Sequence, residues 1–304
     1  MFEFNLIIIG AGSIVLIGYV SSKVWKKSFN IFKKNKNSVN KKKSGFESLS
    51  NEQWLEVNKK AATMGSDLAL INLGIAYVYG EGVKQNYKLA LFYFKIVAEE
   101  EYPKAPSFGG KSLAQFNIGL LYQDGLGVEK NYSEAAKWFR LAADQGNANA
   151  QNNLGFIYQD GLGVEQNYSE AAKLYKLAAD KGKPDPQYNL GCMYRDGLGV
   201  KQNYTEALKW FLLAGDQGFV NAQFQIGSIY WQGLGVEQNY PEAFKWLQFA
   251  SDKGHSNAQN NLGIMYENGF GVKQSDSDAA TLYKLASDQG NATALDNLKR
   301  VTNQ

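Results

Sequence analysis

The stretch Tyr122 to Val128, "YQDGLGV", returns letter for letter at Tyr158 to Val164. Two glycines so close together suit either a loop that cradles phosphate or a tight turn between helices, and the choice decides the fold. A phosphate loop brings the Lys-Ser/Thr of a P-loop or an equivalent cluster of donors, and a protein needs it once. Here the pattern L/I-G-x-x-Y-x-x-G-x-G-V puts its first glycine at Gly74, Gly119, Gly155, Gly191, Gly227 and Gly263, at spacings of 45, 36, 36, 36 and 36 residues. Repetition favours the turn. A fixed period in this range marks a solenoid, in which each unit is too small to bury its own apolar face and gains stability by stacking on its neighbours.

Within one unit the pattern divides into two helices. The first, "AQNNLGFIYQDG", sets Ala150, Leu154, Gly155 and Tyr158 on one stripe at helical spacing, and the small residues there let a neighbouring helix come close. The second, "NYSEAAKLYKLAADKG", opens on Asn167 with Glu170 three residues on, an Asn form of the capping box. The same pair returns as Asn131 with Glu134, Asn203 with Glu206 and Asn239 with Glu242, and Pro241 falls in a first helical turn, where its missing N–H costs nothing. Gly146, Gly182, Gly218, Gly254 and Gly290 stand where the second helices end, as left-handed caps. The sequons at Asn131, Asn167 and Asn203 are therefore helix caps first.

The assembled pattern, A-x-x-x-L-G-x-x-Y-x-x-G-x-G-V followed by A-x-x-W/Y-x-x-A-A-x-x-G, resembles the Sel-like repeat family, a relative of the tetratricopeptide repeats, over residues 51 to 294. The resemblance implies an all-α, α/α superhelical solenoid of about six 36-residue helix-turn-helix repeats, serving as a protein-interaction scaffold. Some members of that family cross-link each repeat through cysteines, which this chain cannot do. The last unit departs at Ser275 and Asp276, although Ser275 and Asp278 can still cap a helix, and the first, "NYKLA", lacks the capping glutamate. A capping helix is expected over 51–66, the repeats over about 69–293, and a degenerate, fraying helix over 294–304. One unit is nine residues longer, at "EEEYPKAPSFGGKS" between Ala98 and Ala114. Such an insertion maps to a loop on one edge, either a tolerated surface loop or a partner contact in the 99–112 stretch.

Ahead of the repeats, Phe4 to Val20 contains only Asn5 and Ser13 as polar side chains. As a helix it would reach roughly 25 Å, within the range of membrane spans. The same letters hold "GAGSIV", which starts like a dinucleotide fingerprint but has Val15 where the third glycine belongs. Lysines crowd the stretch after the apolar run and none precedes it, which by the positive-inside rule leaves the following chain cytoplasmic. The sequence thus divides into a transmembrane anchor at 1–22, a lysine-rich linker at 23–50 and a repeat region at 51–304.

Residues 1–50 hold nine lysines and two glutamates, +7 of a chain total of +3, which leaves the repeat region at −4. A basic nucleic-acid groove is disfavoured there. One cysteine, Cys192, and one histidine, His255, exclude an internal disulfide and a Cys/His metal cluster, and no cofactor or small-molecule substrate is indicated. The two residues occupy non-equivalent positions in different repeats and form no nucleophile-base pair, Cys192 reading as a small helix residue and His255 as a solvated loop residue. The chain therefore reads as a non-enzyme, with an enzyme or enzyme subunit kept as a third reading behind an exported binding module.

On a helical wheel the positions three before, one after and four after the packing glycine point away from the constant stripe. They vary from copy to copy. Phe116, Phe156, Gln159, Tyr188, Arg195, Phe224, Trp231 and Ile264 are on that basis the candidate surface for a protein or peptide partner, with packing against the adjacent unit as the competing role. A column of amides, Asn72, Asn117, Asn153, Asn189, Gln225 and Asn261, either bonds between repeats or meets an extended ligand backbone.

Overall fold

The structure is a computed structural model and describes residues 5–9, 13–17, 51–99 and 109–303. The lysine-rich linker and most of the inserted loop lie outside the described residues. Two short strands come first, β1 (Asn5–Ile9) and β2 (Ser13–Ile17), paired antiparallel with Asn5 opposite Ile17 and Ile9 opposite Ser13. This corrects the expectation of a helix there. Ile7, Ile8, Ile9, Ile14, Val15 and Ile17 are β-branched and suit a strand better than a helix, while Gly10 and Gly12 weaken helical continuity between the two runs. No helix among the described residues is long and apolar enough to cross a membrane.

Fourteen helices follow among the described residues, in two compact units, residues 1–157 with 162–165 and residues 158–161 with 166–304. The first unit holds α1 (Asn51–Thr63), α2 (Asp67–Tyr79), α3 (Tyr87–Glu99), α4 (Gly110–Asp124), α5 (Tyr132–Asp144) and most of α6 (Ala148–Asp160). The second holds α7 (Tyr168–Ala179), α8 (Pro184–Asp196), α9 (Tyr204–Asp216), α10 (Val220–Gln232), α11 (Tyr240–Asp252), α12 (Ser256–Asn268), α13 (Asp276–Ser287) and α14 (Ala292–Thr302).

Gly74, Gly119, Gly191, Gly227 and Gly263 each lie under a ring or branched side chain of the second helix of their own repeat. A β-carbon at Gly119 would sit 2.5 Å from Phe139, at Gly191 2.6 Å from Phe211 and at Gly227 2.6 Å from Leu247. Only a residue without a side chain lets these helices close. The partners Phe94, Phe139, Phe211, Leu247 and Tyr283 are all fully buried, surrounded by the alanines of both helices. Small and large residues interlock at each crossing, which is how a two-helix unit reaches interior packing density.

The turn reading of "DGLGV" holds and gains a reason. Its first glycine ends the first helix in the left-handed region, as at Gly197 (φ 70°), whose N–H bonds the Met193 carbonyl. Its second glycine, also left-handed, reaches the start of the second helix one repeat back. A β-carbon at Gly127 would strike Tyr87 and Lys88, at Gly163 Tyr132 and Ser133, and at Gly271 Tyr240 and Pro241. The turn is thus an inter-repeat joint as well as a corner.

The caps are as expected, with one refinement. The side chains of Asn131, Asn167, Asn203 and Asn239 accept from the N–H of Glu134, Glu170, Glu206 and Glu242 at 3.0–3.1 Å, and Ser275 accepts from Asp278. The return half of the box is absent, because the N–H of each Asn bonds a tyrosine carbonyl of the preceding first helix, as Asn203 does with Tyr194 at 2.9 Å. The glutamates pair with lysine three residues on instead, as Glu206 does with Lys209. Gly146, Gly182, Gly218, Gly254 and Gly290 all have φ between 81° and 87°, the left-handed ends expected of them.

Candidate functional site

The first helices place the candidate partner-binding residues, and the structure sorts them by depth. In the first unit Phe116 of α4 is 2% exposed, its ring 5.7 Å from that of Phe139, so it is a core residue and presents nothing to a partner. The wheel had put it on the open side. What the wheel omits is the neighbouring helix, which closes over that side in this repeat. Phe156 of α6 is the opposite case, 40% exposed.

In the second unit the candidates are half-buried, each held by a specific contact. Tyr188 of α8 lies against Phe211 and Phe219, with ring centroids 5.7 and 5.1 Å away. Arg195, two turns on, makes a two-pronged bond to Asp196 at 2.7 Å for each prong. Phe224 stacks on His255 at 4.6 Å, and Trp231 meets Tyr240 and Phe270 edge-on. Gln159 accepts a hydrogen bond from the Tyr175 hydroxyl at 3.1 Å, and Ile264 packs beside the Ala279, Tyr283 and Ala286 cluster. Their repeated position is therefore both a packing seam and a partly open surface.

Each of these first helices ends under a second recurrent contact. The side-chain amides of Gln166, Gln202, Gln238 and Gln274 donate to the carbonyls of Gln159, Arg195, Trp231 and Glu267 at 2.7–2.9 Å. A side chain seven residues downstream thus caps the carbonyl of the last variable position in each repeat. The backbone beneath the candidate surface is fixed while its side chains are free to differ. The glutamines were visible in the sequence, but the contact was missed because it spans the turn.

The amide column serves the fold at two of its positions. Asn72 donates to Asn58 of α1 at 2.9 Å, and Asn117 bonds the Leu113 carbonyl of its own helix. His255 differs from the solvated loop residue expected. It is the N-cap of α12, its Nδ1 accepting from the Ala258 N–H at 3.2 Å, and burial pushes its pKa below the usual histidine value. Cys192 packs with the Tyr188 and Phe211 cluster, and burial pushes its thiol pKa up, away from the reactive thiolate. Among the described residues, no three His, Cys, Asp or Glu side chains gather where a metal ion would fit.

The comparisons with known proteins meet this geometry repeat by repeat. The Sel1 repeat model matches residues 67–102, 112–147, 148–183, 187–219, 220–255 and 256–291. The chain belongs to the Sel1 repeat family. Its fold is similar to that of c5321, a protective antigen of uropathogenic Escherichia coli with an SLR fold, at 33% identity and a TM-score of 0.76. That match covers 81% of this chain and 51% of the antigen, so the chain spans about half the antigen's length. A Sel1 repeat protein from Oxalobacter formigenes is 30% identical, with a TM-score of 0.67 over 79% of this chain and 94% of that one. The Cut9–Hcn1 hetero-tetramer of the APC/C, at 14% identity and a TM-score of 0.51 over 83% of this chain and 46% of that one, shares the helical-repeat fold alone. No curated protein matches the chain. Sel1 repeats are generally interaction modules rather than enzymes, and the helical-repeat fold is commonly a protein-interaction scaffold.

Proposed function

We propose that this Sel1 repeat protein binds a protein or peptide segment on the first-helix face of its second unit, with Tyr188, Arg195, Phe224, Trp231 and Ile264 as the contact residues. One observation carries the reading. Framework positions are held constant from repeat to repeat, while the position capped by each glutamine carries Gln159, Arg195, Trp231 and Glu267 in turn. Constant backbone under changing side chains suits recognition of an extended partner. Tyr188, Phe224 and Trp231 also brace the fold, so a test needs substitutions at open or polar positions. Arg195→Ala in the full chain is expected to lower capture of a partner at unchanged melting temperature. Capture unaffected by that change sinks the proposal.

The reading extends to a tether. Phe4 to Val20 anchors the chain in a membrane with the repeats in the cytoplasm, a placement supported by the apolar run and the lysines behind it. The pairing of β1 with β2 limits how. A two-stranded hairpin leaves unpaired backbone groups along both edges, which hydrocarbon does not tolerate, so anchoring requires these residues to become helical in lipid. Reporters active on one side of a membrane, fused to either end of the chain, test the placement. A carboxyl-terminal reporter active only outside the cytoplasm favours export of the repeats instead.

A further inference from the structure

The second helices of the second unit carry an apolar row that no neighbour covers. Leu177 of α7, Leu213 of α9, Phe249 of α11 and Leu285 of α13 recur every 36 residues and are 43–52% exposed. These helices are side by side: Lys176 lies over the Trp210 ring at 5.2 Å, a β-carbon at Gly215 would touch Trp246, and Leu282 packs on the Ala243 and Leu247 cluster. Four large side chains in a line make a patch of a few hundred Å², near the upper end of what a monomer leaves open.

Charge flanks the row on both sides. Four residues before each of the first three stands an exposed lysine, Lys173, Lys209 and Lys245, and three residues after each of the four stands an exposed aspartate, Asp180, Asp216, Asp252 and Asp288. At 1.5 Å and 100° per residue the lysines lie roughly 6 Å to one side and the aspartates roughly 4.5 Å to the other, all within about 60° of arc. The face is thus three parallel stripes, positive, apolar and negative.

Such a pattern is complementary to itself under one symmetry operation. A dyad running along the apolar row lays Leu213 on Leu213 and brings the lysine stripe of each copy over the aspartate stripe of the other. A dyad along the helices would instead set lysine against lysine. We propose that this face is a homodimer interface, with a second copy of the chain related by a dyad parallel to the row of second helices. The existing contacts of these charges are exposed pairs within one helix, Lys173 with Glu170, Lys209 with Glu206, Lys245 with Glu242 and Asp180 with Lys176. Each is worth a few tenths of a kcal/mol, so exchanging them across an interface costs little. The apolar row alone falls short of the roughly 800 Å² per side of a standard interface, so the lysine and aspartate stripes must join it and the dimer is micromolar in strength. The first-helix face stays free for a different partner.

The test uses the full chain in mild detergent, followed by light scattering over a concentration series. Wild-type chain is expected to dimerise in the micromolar range, and Leu213→Asp with Phe249→Asp to be monomeric with an unchanged circular-dichroism melt. In a Cys192→Ser background, chains carrying Lys209→Cys and chains carrying Asp216→Cys cross-link when mixed through a short bis-maleimide, while Lys209→Cys chains alone do not. A wild-type monomer at 100-fold higher concentration, a dimer that survives the double Asp change, or cross-linking of Lys209→Cys with itself overturns the proposal. So does a monomer whose binding to anionic vesicles is lost in the double Asp variant, which would assign the face to a lipid surface.

Discussion

Gly263 of α12 lies beneath the ring of Tyr283 in α13, so close that a β-carbon at 263 would be 2.5 Å from Tyr283 Cε1. Tyr283 is fully buried and cannot swing away. Alanine at this position gains up to about 1 kcal/mol of helix propensity yet overpacks the crossing by about 1–3 kcal/mol. Gly263→Ala is therefore expected to lower the urea midpoint. Gly254→Ala offers the contrast: nothing lies within 4 Å of a β-carbon there, and the cost is that of its φ of 83° alone, about 1 kcal/mol.

A sharper case is the glycine pair at the α8 to α9 turn. Gly197 and Gly199 have the same left-handed backbone, φ 70° and 68°. The β-carbon of an alanine at 197 would come within 3.2 Å of the Gln202 β-carbon and stay at ordinary contact distance, 3.5 Å, from its backbone N, whereas at 199 it would run deep into the Tyr168 carbonyl and the Ser169 N–H. An overlap of that depth with backbone cannot be relieved by a small shift. Gly199→Ala is expected to destabilise the second unit by clearly more than Gly197→Ala, read as the difference between their thermal melting points. Equal losses would mean that the turn does not act as an inter-repeat joint.

What could be read from the letters was whatever a single repeat decides for itself. The packing glycines, the Asn caps and the left-handed helix ends are local to one helix or one turn, and all stand where spacing placed them. Depth was not legible, because it depends on a neighbour. Phe116, three residues before its packing glycine, and Phe156, one residue after its own, both fall on the open side of the wheel, yet one is core and the other open, with Phe139 against the ring of Phe116. The exposed row of Leu177, Leu213, Phe249 and Leu285 went unseen for the converse reason: an apolar residue beside an Ala pair reads as core until the structure shows nothing over it. His255 read as a loop because imidazole is an unusual N-cap, and the stacking on Phe224 that holds it comes from α10, two helices back. The apolar amino-terminal run fits a helix by length and a strand by β-branching, and composition alone does not arbitrate.

The half-used capping box separates two substitutions that sequence treats as equals. Asn203 accepts from the Glu206 N–H at 3.1 Å, so Asn203→Ala leaves an N–H of the first turn without its acceptor and costs about 1 kcal/mol. The Glu206 carboxylate makes no return bond, because the Asn203 N–H is taken by Tyr194. Its remaining contribution is an exposed pair with Lys209 and a favourable position in the first turn, about 0.5 kcal/mol. Urea unfolding of the two single variants is expected to rank Asn203→Ala as the more damaging.

Cys192 gives a kinetic prediction. Burial raises its thiol pKa above the ordinary value, with Tyr188 hydrogen-bonded to it and Arg195 partly offsetting the shift. Thiolate is the reactive form, so iodoacetamide at pH 8 is expected to label the folded chain far more slowly than the urea-unfolded chain. Equal rates would place the thiol at the surface.

The carboxyl-terminal helix gives the last prediction, and it turns on pH. Glu267 of α12 accepts from both Tyr283, at 2.6 Å, and the Arg300 guanidinium of α14, which reaches it with two prongs, while Asn297 bonds Asn260 at 2.9 Å. The expected fraying helix is instead pinned at two points. Burial alone would raise the Glu267 pKa, but the hydrogen bonds from Arg300 and Tyr283 outweigh it and the net shift is downward. A carboxylate depressed in the folded state contributes stability that is present above its unfolded value of about 4.3 and is lost as pH falls through the folded pKa. Arg300 is half exposed, so solvent screening holds the contribution to about 1 kcal/mol or less. Unfolding in urea at pH 6 and at pH 3 is expected to show a smaller acid loss for Glu267→Gln than for wild type, because the variant has no charge there to lose. An Arg300→Ala chain should behave likewise, and a pH dependence unchanged in both would mean that α14 is held by packing of Ala294 and Val301 alone.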